Sequence, residues 1–361
     1  MSTRIAIVGG GYVGIDLATA FDDSADVTLI EPRSHFVHTP AMIRAVVDPS
    51  LTERALIPYD KLLTHGRVVQ ARAVGLDAGG VTLEDGTRIE ADLIVVGTGS
   101  SNASPFKPDG DDIAGLREAN RRAYERLKAA KTVGIIGAGA VGTELAGEIA
   151  HAMPDKEITL ISDEEALFPK KPDGLGKALA RKLRKAGVRL ILGQKAENLE
   201  STRAPFSGEL KLSDGSEHRF DLIFPVLGAK PISGLLEALP DTKTARSGRV
   251  EVDPWLRPSP ALPNVFALGD VAETGDGMTV VGATRQLVWL KATLKQVMAG
   301  RAVEDLLQYA PWGSKAPILI PLGPKRGNSF LGLFTVGNFI TRMLKGEDLF
   351  IKKYQKMMNR I

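Results

Sequence analysis

Two short stretches of this sequence, IVGGGYVG at residues 7–14 and IIGAGAVG at 135–142, carry glycines in one pattern: Gly9, Gly11 and Gly14, then Gly137, Gly139 and Gly142. In a G-x-G-x-x-G loop the first glycine permits a tight turn and the second lets the main chain approach a pyrophosphate. The third lets a helix close on a strand, and the helix N-terminus turns free N–H groups to the phosphates. The chemistry these residues can do is dinucleotide binding, twice in one chain. Glu31 stands about twenty residues past the first loop, where a carboxylate can accept hydrogen bonds from both ribose hydroxyls. The second copy departs there, with Ser162 in the acid's place and Asp163 and Glu164 just after it. An inward Asp163 would repel a 2′-phosphate and favour NADH, whereas a ribose-facing Ser162 would also accommodate NADPH.

The elements that must position these loops are legible around them. Residues 5–8 predict an apolar strand, 15–21 a helix and 27–30 a second strand. Residues 133–136, 143–152 and 158–161 repeat that order. Residues 92–99, DLIVVGTG, predict a buried strand ending in a small-residue turn at Gly99. Residues 263–270, PNVFALGD, predict another that ends in Gly269 and Asp270. The charged stretch 116–131 reads as a helix leading into the second unit, and a long helix opens near Gly282 and runs towards Val297. Apart from this duplication there is no tandem array.

Composition narrows the chemistry. The 361 residues suffice for two or three domains, with the hydrophobic content of a soluble globular protein. No apolar run is long enough to span a bilayer. The N-terminus runs straight into a strand-like stretch, so no secretory signal is expected, and Ser2 in place of glycine removes the N-myristoylation pattern. A cytoplasmic location is the expectation. There is no cysteine, which excludes disulfides, thiolate nucleophiles, cysteine-ligated zinc and iron–sulfur clusters. Of five histidines only His35 and His38 are close together, with no carboxylate partner nearby, so no metal site is expected. The net charge of +3 is local: residues 341–361 hold Arg342, Lys345, Lys352, Lys353, Lys356 and Arg360 against Glu347 and Asp348. That placement argues against a nucleic-acid-binding face.

Taken in order, the two glycine loops, the strand ending at Gly99 and the late Gly269-Asp270 resemble the two-dinucleotide-binding-domain flavoproteins, the FAD- and pyridine-nucleotide-dependent oxidoreductases. The match covers nearly the whole chain. It implies an α/β fold of two Rossmann-like dinucleotide-binding domains, the FAD domain split by an inserted NAD(P)H domain, plus a short C-terminal α+β region. The implied limits are 1–108 and 242–300 for FAD, 109–241 for NAD(P)H and 301–361 for the C-terminal domain. The resemblance gives Gly9, Gly11, Gly14, Glu31, Arg33, Gly99, Gly269, Asp270 and Val281 to FAD. It gives Gly137, Gly139, Gly142, Asp163 and Gly228 to NADH or NADPH, Gly228 lying in the turn LGAKP at 227–231.

A narrower likeness follows from what takes up the electrons. In the disulfide reductase branch a cysteine pair lies against the flavin after the first βαβ unit, and here that stretch is SHFVHTPA at 34–41. Disulfide reductase and sulfide:quinone chemistry therefore fall away. HFVHTPAMIRAVVDP at 35–49, with IPLGPKRG at 320–327 and LKGEDLF at 344–350, resembles the apoptosis-inducing-factor-like proteins, in particular the ferroptosis-suppressor branch, and is related to type II NADH:quinone dehydrogenases. Members reduce quinones with NAD(P)H at a membrane surface, which implies a quinone substrate here. The resemblance places Glu144 and Lys345 in catalysis and Phe350 and His38 on the substrate side. Glu144 is alternatively a glutamate stabilising a helix dipole, Lys345 a surface lysine, and His38 a ring that satisfies a loop. In the tail, Phe350, Tyr354, Met357, Met358 and Ile361 recur at helical spacing opposite most of the basic residues. Such a helix lies on an anionic membrane or packs on the protein or a second subunit. Phe339, Ile340, Met343 and Leu344 are expected to pack inward. A monomer or homodimer fits equally. The rivals are a ferredoxin- or rubredoxin-type reductase and a slow-turnover redox-sensing interaction protein.

Overall fold

The structure, a computed structural model, describes residues 2–361, the side chain of Asp173 excepted. The chain enters through β1 (Arg4–Val8), whose run of four apolar residues is buried on both faces, as a central parallel strand must be. α1 (Tyr12–Phe21) begins inside the glycine loop, and β2 (Asp26–Ile30), α2 (Thr39–Ala45), β3 (Arg67–Val69) and β4 (Leu93–Val96) follow. The helix expected at 116–131 is α3 (Ile113–Ala129). It starts three residues earlier because the Asp112 carboxylate accepts the Gly115 N–H at 2.7 Å and caps it there.

The second unit then runs β5 (Thr132–Ile136), α4 (Ala140–Ala152), β6 (Glu157–Ser162), α5 (Asp173–Lys185), β7 (Arg189–Leu192), β8 (Phe206–Lys211) and β9 (Glu217–Pro225). The chain returns to the first sheet at β10 (Val265–Ala267) and continues into α6 (Val280–Met298). Both sheets have five strands. The first has the order β10-β4-β1-β2-β3, all parallel, and the second β7-β6-β5-β9-β8, parallel except for β8 against β9. In each, the glycine loop leaves the central strand, β1 or β5, where the chain order reverses. Open α/β sheets bind their ligands in that crevice.

After α6 come three antiparallel strands, β11 (Ile318–Pro321), β12 (Gly327–Phe330) and β13 (Thr335–Val336), then α7 (Asn338–Thr341), a single π-helical turn Arg342–Gly346, and α8 (Ile351–Met357). This region belongs to both cores. Ile320, Leu322 and Phe330 pack into the core around β5 and α4, while Tyr354 and Met358 pack into the core around β1, α1 and α6. The apolar side of the tail is thus spent on the protein itself, with Ile351, Tyr354 and Met358 buried and only Ile361 out in solvent. Phe339 and Met343 depart from expectation, being 78% and 66% exposed beside half-buried Ile340 and Leu344. α7 is a four-residue helix on a three-stranded edge, too short to turn more than one face inward. Among the described residues no helix is long and apolar enough to cross a membrane.

Candidate functional site

The two loops have the same local geometry. Gly9 and Gly137 have φ of +103° and +104°, a left-handed conformation that costs glycine nothing. A Cβ on either would strike a carbonyl of the neighbouring strand end, Gly97 O at 2.5 Å or Val226 O at 2.1 Å. A Cβ on Gly14 or Gly142 would lie 1.9 Å from the carbonyl oxygen of Gly9 or Gly137, so helix and strand touch there. Gly11 and Gly139 are different. Each precedes its helix in extended backbone, a Cβ on either would meet nothing within 4 Å, and both line one cavity. The middle glycine of each loop therefore leaves its main chain bare towards open space at a helix N-terminus, the condition for a pyrophosphate to approach.

Around the first loop the Glu31 carboxylate is buried at the end of β2. It accepts the Gly10 N–H at 2.5 Å and is clasped by Arg33 through Nε at 2.7 Å and Nη2 at 3.0 Å. Glu31 and Arg33 are thereby held on the cavity wall beside Gly11. Gly99 (φ +73°) ends the turn after β4, and Gly269 (φ +73°) opens the one after β10. The Asp270 carboxylate accepts the Ser100 hydroxyl at 2.6 Å, and Lys107 Nζ donates to the Ser100 carbonyl at 2.7 Å. Burial pulls the Lys107 ammonium below the usual lysine range, against the attraction of Asp270. Val281 lines the same wall in the first turn of α6, which Thr279 caps through the Gly282 N–H at 3.0 Å. The Gly269 N–H is fixed by buried Gln286 Oε1 at 2.7 Å.

Around the second loop Ser162 is buried and Asp163 exposed, both bordering the cavity. Gly228 (φ +98°) lies two residues past Val226, whose carbonyl faces Gly137, and Lys230–Pro231 pair with Ser100–Ser101 in a short antiparallel bridge that ties the two units together. Both loops open into one continuous cavity of about 1240 Å³. That exceeds the roughly 300–1,000 Å³ of a site for one small ligand.

The C-terminal region closes this cavity. Lys345, in the π-helical turn, reaches Glu144 in the first turns of α4, Nζ to Oε1 at 2.6 Å, and also donates to the Leu319 carbonyl at 3.2 Å. Both side chains are largely buried, and both border the cavity. Burial raises the Glu144 carboxyl above its ordinary range, and Lys345 opposes the shift. The two residues named from 201 positions apart are thus a pair. His38 is also buried. Its Nδ1 accepts the Tyr12 hydroxyl at 3.0 Å and its Nε2 donates to the Leu349 carbonyl at 2.5 Å, so the ring is committed at both nitrogens to the protein. Desolvation pulls its pKa down to about 4. Phe350, half-buried in left-handed backbone (φ +65°), lines the cavity one residue on, with Tyr354 behind it.

Sequence reasoning missed the second ion pair. Glu148, one helical turn beyond Glu144, takes Arg44 of α2 in a two-pronged contact, Nε to Oε2 at 3.0 Å and Nη2 to Oε1 at 2.9 Å. The available signal was a lone cation in the apolar stretch PAMIRAVV at 40–47, facing a helix with two acids at i, i+4 spacing. Lys107 and Tyr12 carried no comparable signal.

The bare middle glycines, the carboxylate of Glu31 and the capped N-terminus of α6 fit two dinucleotides in one cavity. Comparison with known proteins agrees. A model of the family described as pyridine nucleotide-disulphide oxidoreductase matches residues 1–114 and 68–286. The apoptosis-inducing factor homolog B of Dictyostelium discoideum is 28% identical over 378 residues, covering 99% of this chain and 97% of that protein. The human ferroptosis suppressor protein 1 is 25% identical, covering 98% and 95%. Among solved structures, the sulfide:quinone oxidoreductase of Aquifex aeolicus overlays with a TM-score of 0.76 at 15% identity, over 99% of this chain and 92% of that one, a likeness of fold. The chain belongs to the pyridine nucleotide-disulphide oxidoreductase family, as a cysteine-free oxidoreductase whose cofactors are FAD and NAD(P)H.

Proposed function

We propose that this protein is an NAD(P)H:quinone oxidoreductase. In this reading Gly9, Gly11, Gly14, Glu31, Arg33, Gly99, Gly269, Asp270 and Val281 hold FAD. Gly137, Gly139, Gly142, Asp163 and Gly228 hold the nicotinamide coenzyme. The FAD domain comprises 1–108 and 242–300, the NAD(P)H domain 109–241 and the C-terminal domain 301–361. When bound there, FAD would supply the two-electron chemistry that links NAD(P)H to the quinone. A quinone reduced by two electrons must also take up two protons. The observation that carries the proposal is the Lys345–Glu144 pair, a proton-holding contact buried at the cavity wall where Phe350 and Ile320 offer an apolar flank. Burial favours the protonated form of Glu144 against the opposing pull of Lys345, which equips the pair to hold a proton and pass it on. Asp163 and Ser162 both border the cavity, so NADH is favoured if the Asp163 carboxylate meets a 2′-phosphate and NADPH is accommodated if Ser162 faces the ribose.

A quinone with a long apolar tail calls for access from a bilayer, and the C-terminal domain supports that. Leu333, Phe334, Phe339 and Met343 are 85%, 59%, 78% and 66% exposed. Residues 306–346 contain exposed Lys315, Lys325, Arg326 and Arg342 and not one carboxylate, Lys345 being spent on Glu144. An apolar face in an acid-free, cationic segment suits an anionic membrane surface, and we assign peripheral attachment to this face in preference to the tail helix.

The test is anaerobic stopped-flow mixing of the FAD-loaded protein with NADH or NADPH, then with ubiquinone and menaquinone analogues. Rapid reoxidation by a quinone, slowed by Glu144→Gln while coenzyme affinity holds, is the expected result. Fast electron delivery to a ferredoxin with no quinone turnover would overturn the reading. So would a reduced protein that persists with either acceptor.

A further inference from the structure

The second buried pair has a task that the proposed chemistry does not by itself assign. α4 presents Glu144 and Glu148 on one face, and each meets a cation from a different part of the chain, Lys345 from the π-helical turn and Arg44 from α2. Arg44 does more than neutralise Glu148. Its Nη2 also donates to the Gly346 carbonyl at 2.7 Å and its Nη1 to the Glu347 carbonyl at 3.2 Å. These are the two main-chain carbonyls directly after Lys345, at the end of a turn closed by the i→i+5 bond from Glu347 N–H to the Arg342 carbonyl at 3.2 Å. A π-helical turn is a marginal structure that persists where its surroundings hold it. Here one guanidinium spans α2, α4 and that turn.

The packing leaves little slack. Gly147 lies between the two acids on α4, and a Cβ there would come within 2.5 Å of Leu322 Cα, so the strand β11 and its following turn sit directly on the helix. A Cβ on Gly346 would come to 3.0 Å from the Pro324 carbonyl. A shift of the π-helical turn would therefore move the Lys345 ammonium off Glu144 with nothing else to hold it, apart from the long contact to Leu319.

We propose that Arg44 and Glu148 are positioning residues for the Lys345–Glu144 pair: by bracing the Gly346 and Glu347 carbonyls they fix where the lysine points, and by closing the second acid on its own cation they leave the Glu144 proton under the control of Lys345. The proposal rests on the quinone-reductase reading only for its kinetic consequence. The charged groups facing Glu144 are Lys345 from the π-helical turn, Glu148 on its own helix and Arg44 from α2. Glu148 faces Arg44, Lys345 and His151 one turn on.

Two variants of the FAD-loaded protein separate geometry from charge. Arg44→Lys keeps the positive charge but offers its donors from a single nitrogen where the guanidinium spreads them over a carboxylate and two carbonyls. Amide hydrogen exchange across residues 346–350 should then quicken by about tenfold while α1 and α3 keep their protection, as expected when one braced turn opens locally. Its kcat with a water-soluble quinone should fall with the KM for NAD(P)H unchanged, and the alkaline limb of the pH profile should move to higher pH, since a displaced Lys345 opposes the burial of Glu144 less. Glu148→Gln keeps the shape but removes the like charge beside Glu144. The alkaline limb of the kcat profile should move to lower pH, since Glu144 then loses its proton more readily. Exchange within twofold of the parent in Arg44→Lys, or an unmoved alkaline limb in Glu148→Gln, would overturn the assignment. The exchange readout needs no acceptor, so a parent protein inert to quinones would sink the preceding reading and still leave this one decided.

Discussion

Acidification acts on His38 in a way that can be worked through in numbers. The ring is neutral in the folded protein, with Nδ1 accepting from Tyr12 and Nε2 donating to Leu349, and burial holds its pKa near about 4 against an ordinary 6.5. A histidine whose folded pKa is depressed takes its proton in the unfolded chain first. Stability is therefore intact above about pH 6.5 and is lost as the pH falls towards about 4. At 1.36 kcal/mol per unit, the loss is about 2 kcal/mol by pH 5 and about 3 kcal/mol by pH 4. The damage is local, because Leu349 and Phe350 stand in left-handed backbone at φ of +55° and +65° directly before α8, and the His38 bond is the polar anchor of that bend, beside the apolar cluster Leu349 shares with α2. The assay is native-state hydrogen exchange of the Ile351–Met357 amides between pH 7 and 4.5, corrected for intrinsic rates, in the parent and in His38→Gln. Glutamine can donate to Leu349 and accept from Tyr12 but takes no proton. The opening free energy of α8 should fall with pH in the parent more steeply than in the variant, by about 2 kcal/mol over that range. Parallel pH dependences in the two proteins would refute the assignment of acid sensitivity to this ring.

Other expectations concern the cradles and the surface. Gly11→Val should yield protein that fails to retain FAD, whereas Gly139→Val should remain yellow but bind NAD(P)H about a hundredfold more weakly, read by flavin absorbance and coenzyme titration. Gly147→Ala, whose Cβ would press on Leu322, should lower stability by about 1–3 kcal/mol, seen as a reduced melting temperature with flavin bound. Phe334→Ser with Phe339→Ser should weaken flotation with anionic vesicles at least tenfold, given about 1.5–3 kcal/mol per buried phenylalanine, whereas truncation of the tail at Ile361 should not. Asp163→Ala should raise the preference for NADPH relative to NADH in initial-rate measurements.

Sequence carried furthest where one local rule governs. The glycine loops combine strand, turn and helix within a dozen residues, so backbone sterics alone place Gly9 and Gly137 in the left-handed region and leave Gly11 and Gly139 bare. The strands ending at Gly99 and Gly269 were legible for the same reason: buried apolar runs need small residues to turn out of the sheet. Phe339 and Met343 were misread because helical spacing says which residues share a face but not whether anything covers it. A four-residue helix on the edge of a three-stranded sheet leaves that question to its neighbours. The tail showed the converse, with spacing that suits a membrane helix but an apolar side filled by the protein's own core.

The placement of Lys345 against Glu144 is the case where periodicity has least to say. Nothing in the sequence around either residue specifies the other, since the contact depends on the C-terminal strands lying flat on α4, which depends in turn on Gly147 having no side chain. Once that approach is made, the electrostatics leave few arrangements. Two carboxylates one turn apart on a buried helix face repel each other and lack solvent, so each must find a cation or take up a proton. Arg44, with donors enough for a carboxylate and two carbonyls, is suited to the acid at the three-way junction. A lysine there would have its three donors on a single nitrogen and could not keep the two-pronged hold on the acid while reaching both carbonyls. Lys345, a single ammonium on a flexible stem, is suited to the acid at the cavity wall, where the proposed reaction needs a proton released as well as held. Exchanging the two cations would fix the proton and free the turn, the reverse of what the proposed proton delivery at this wall requires.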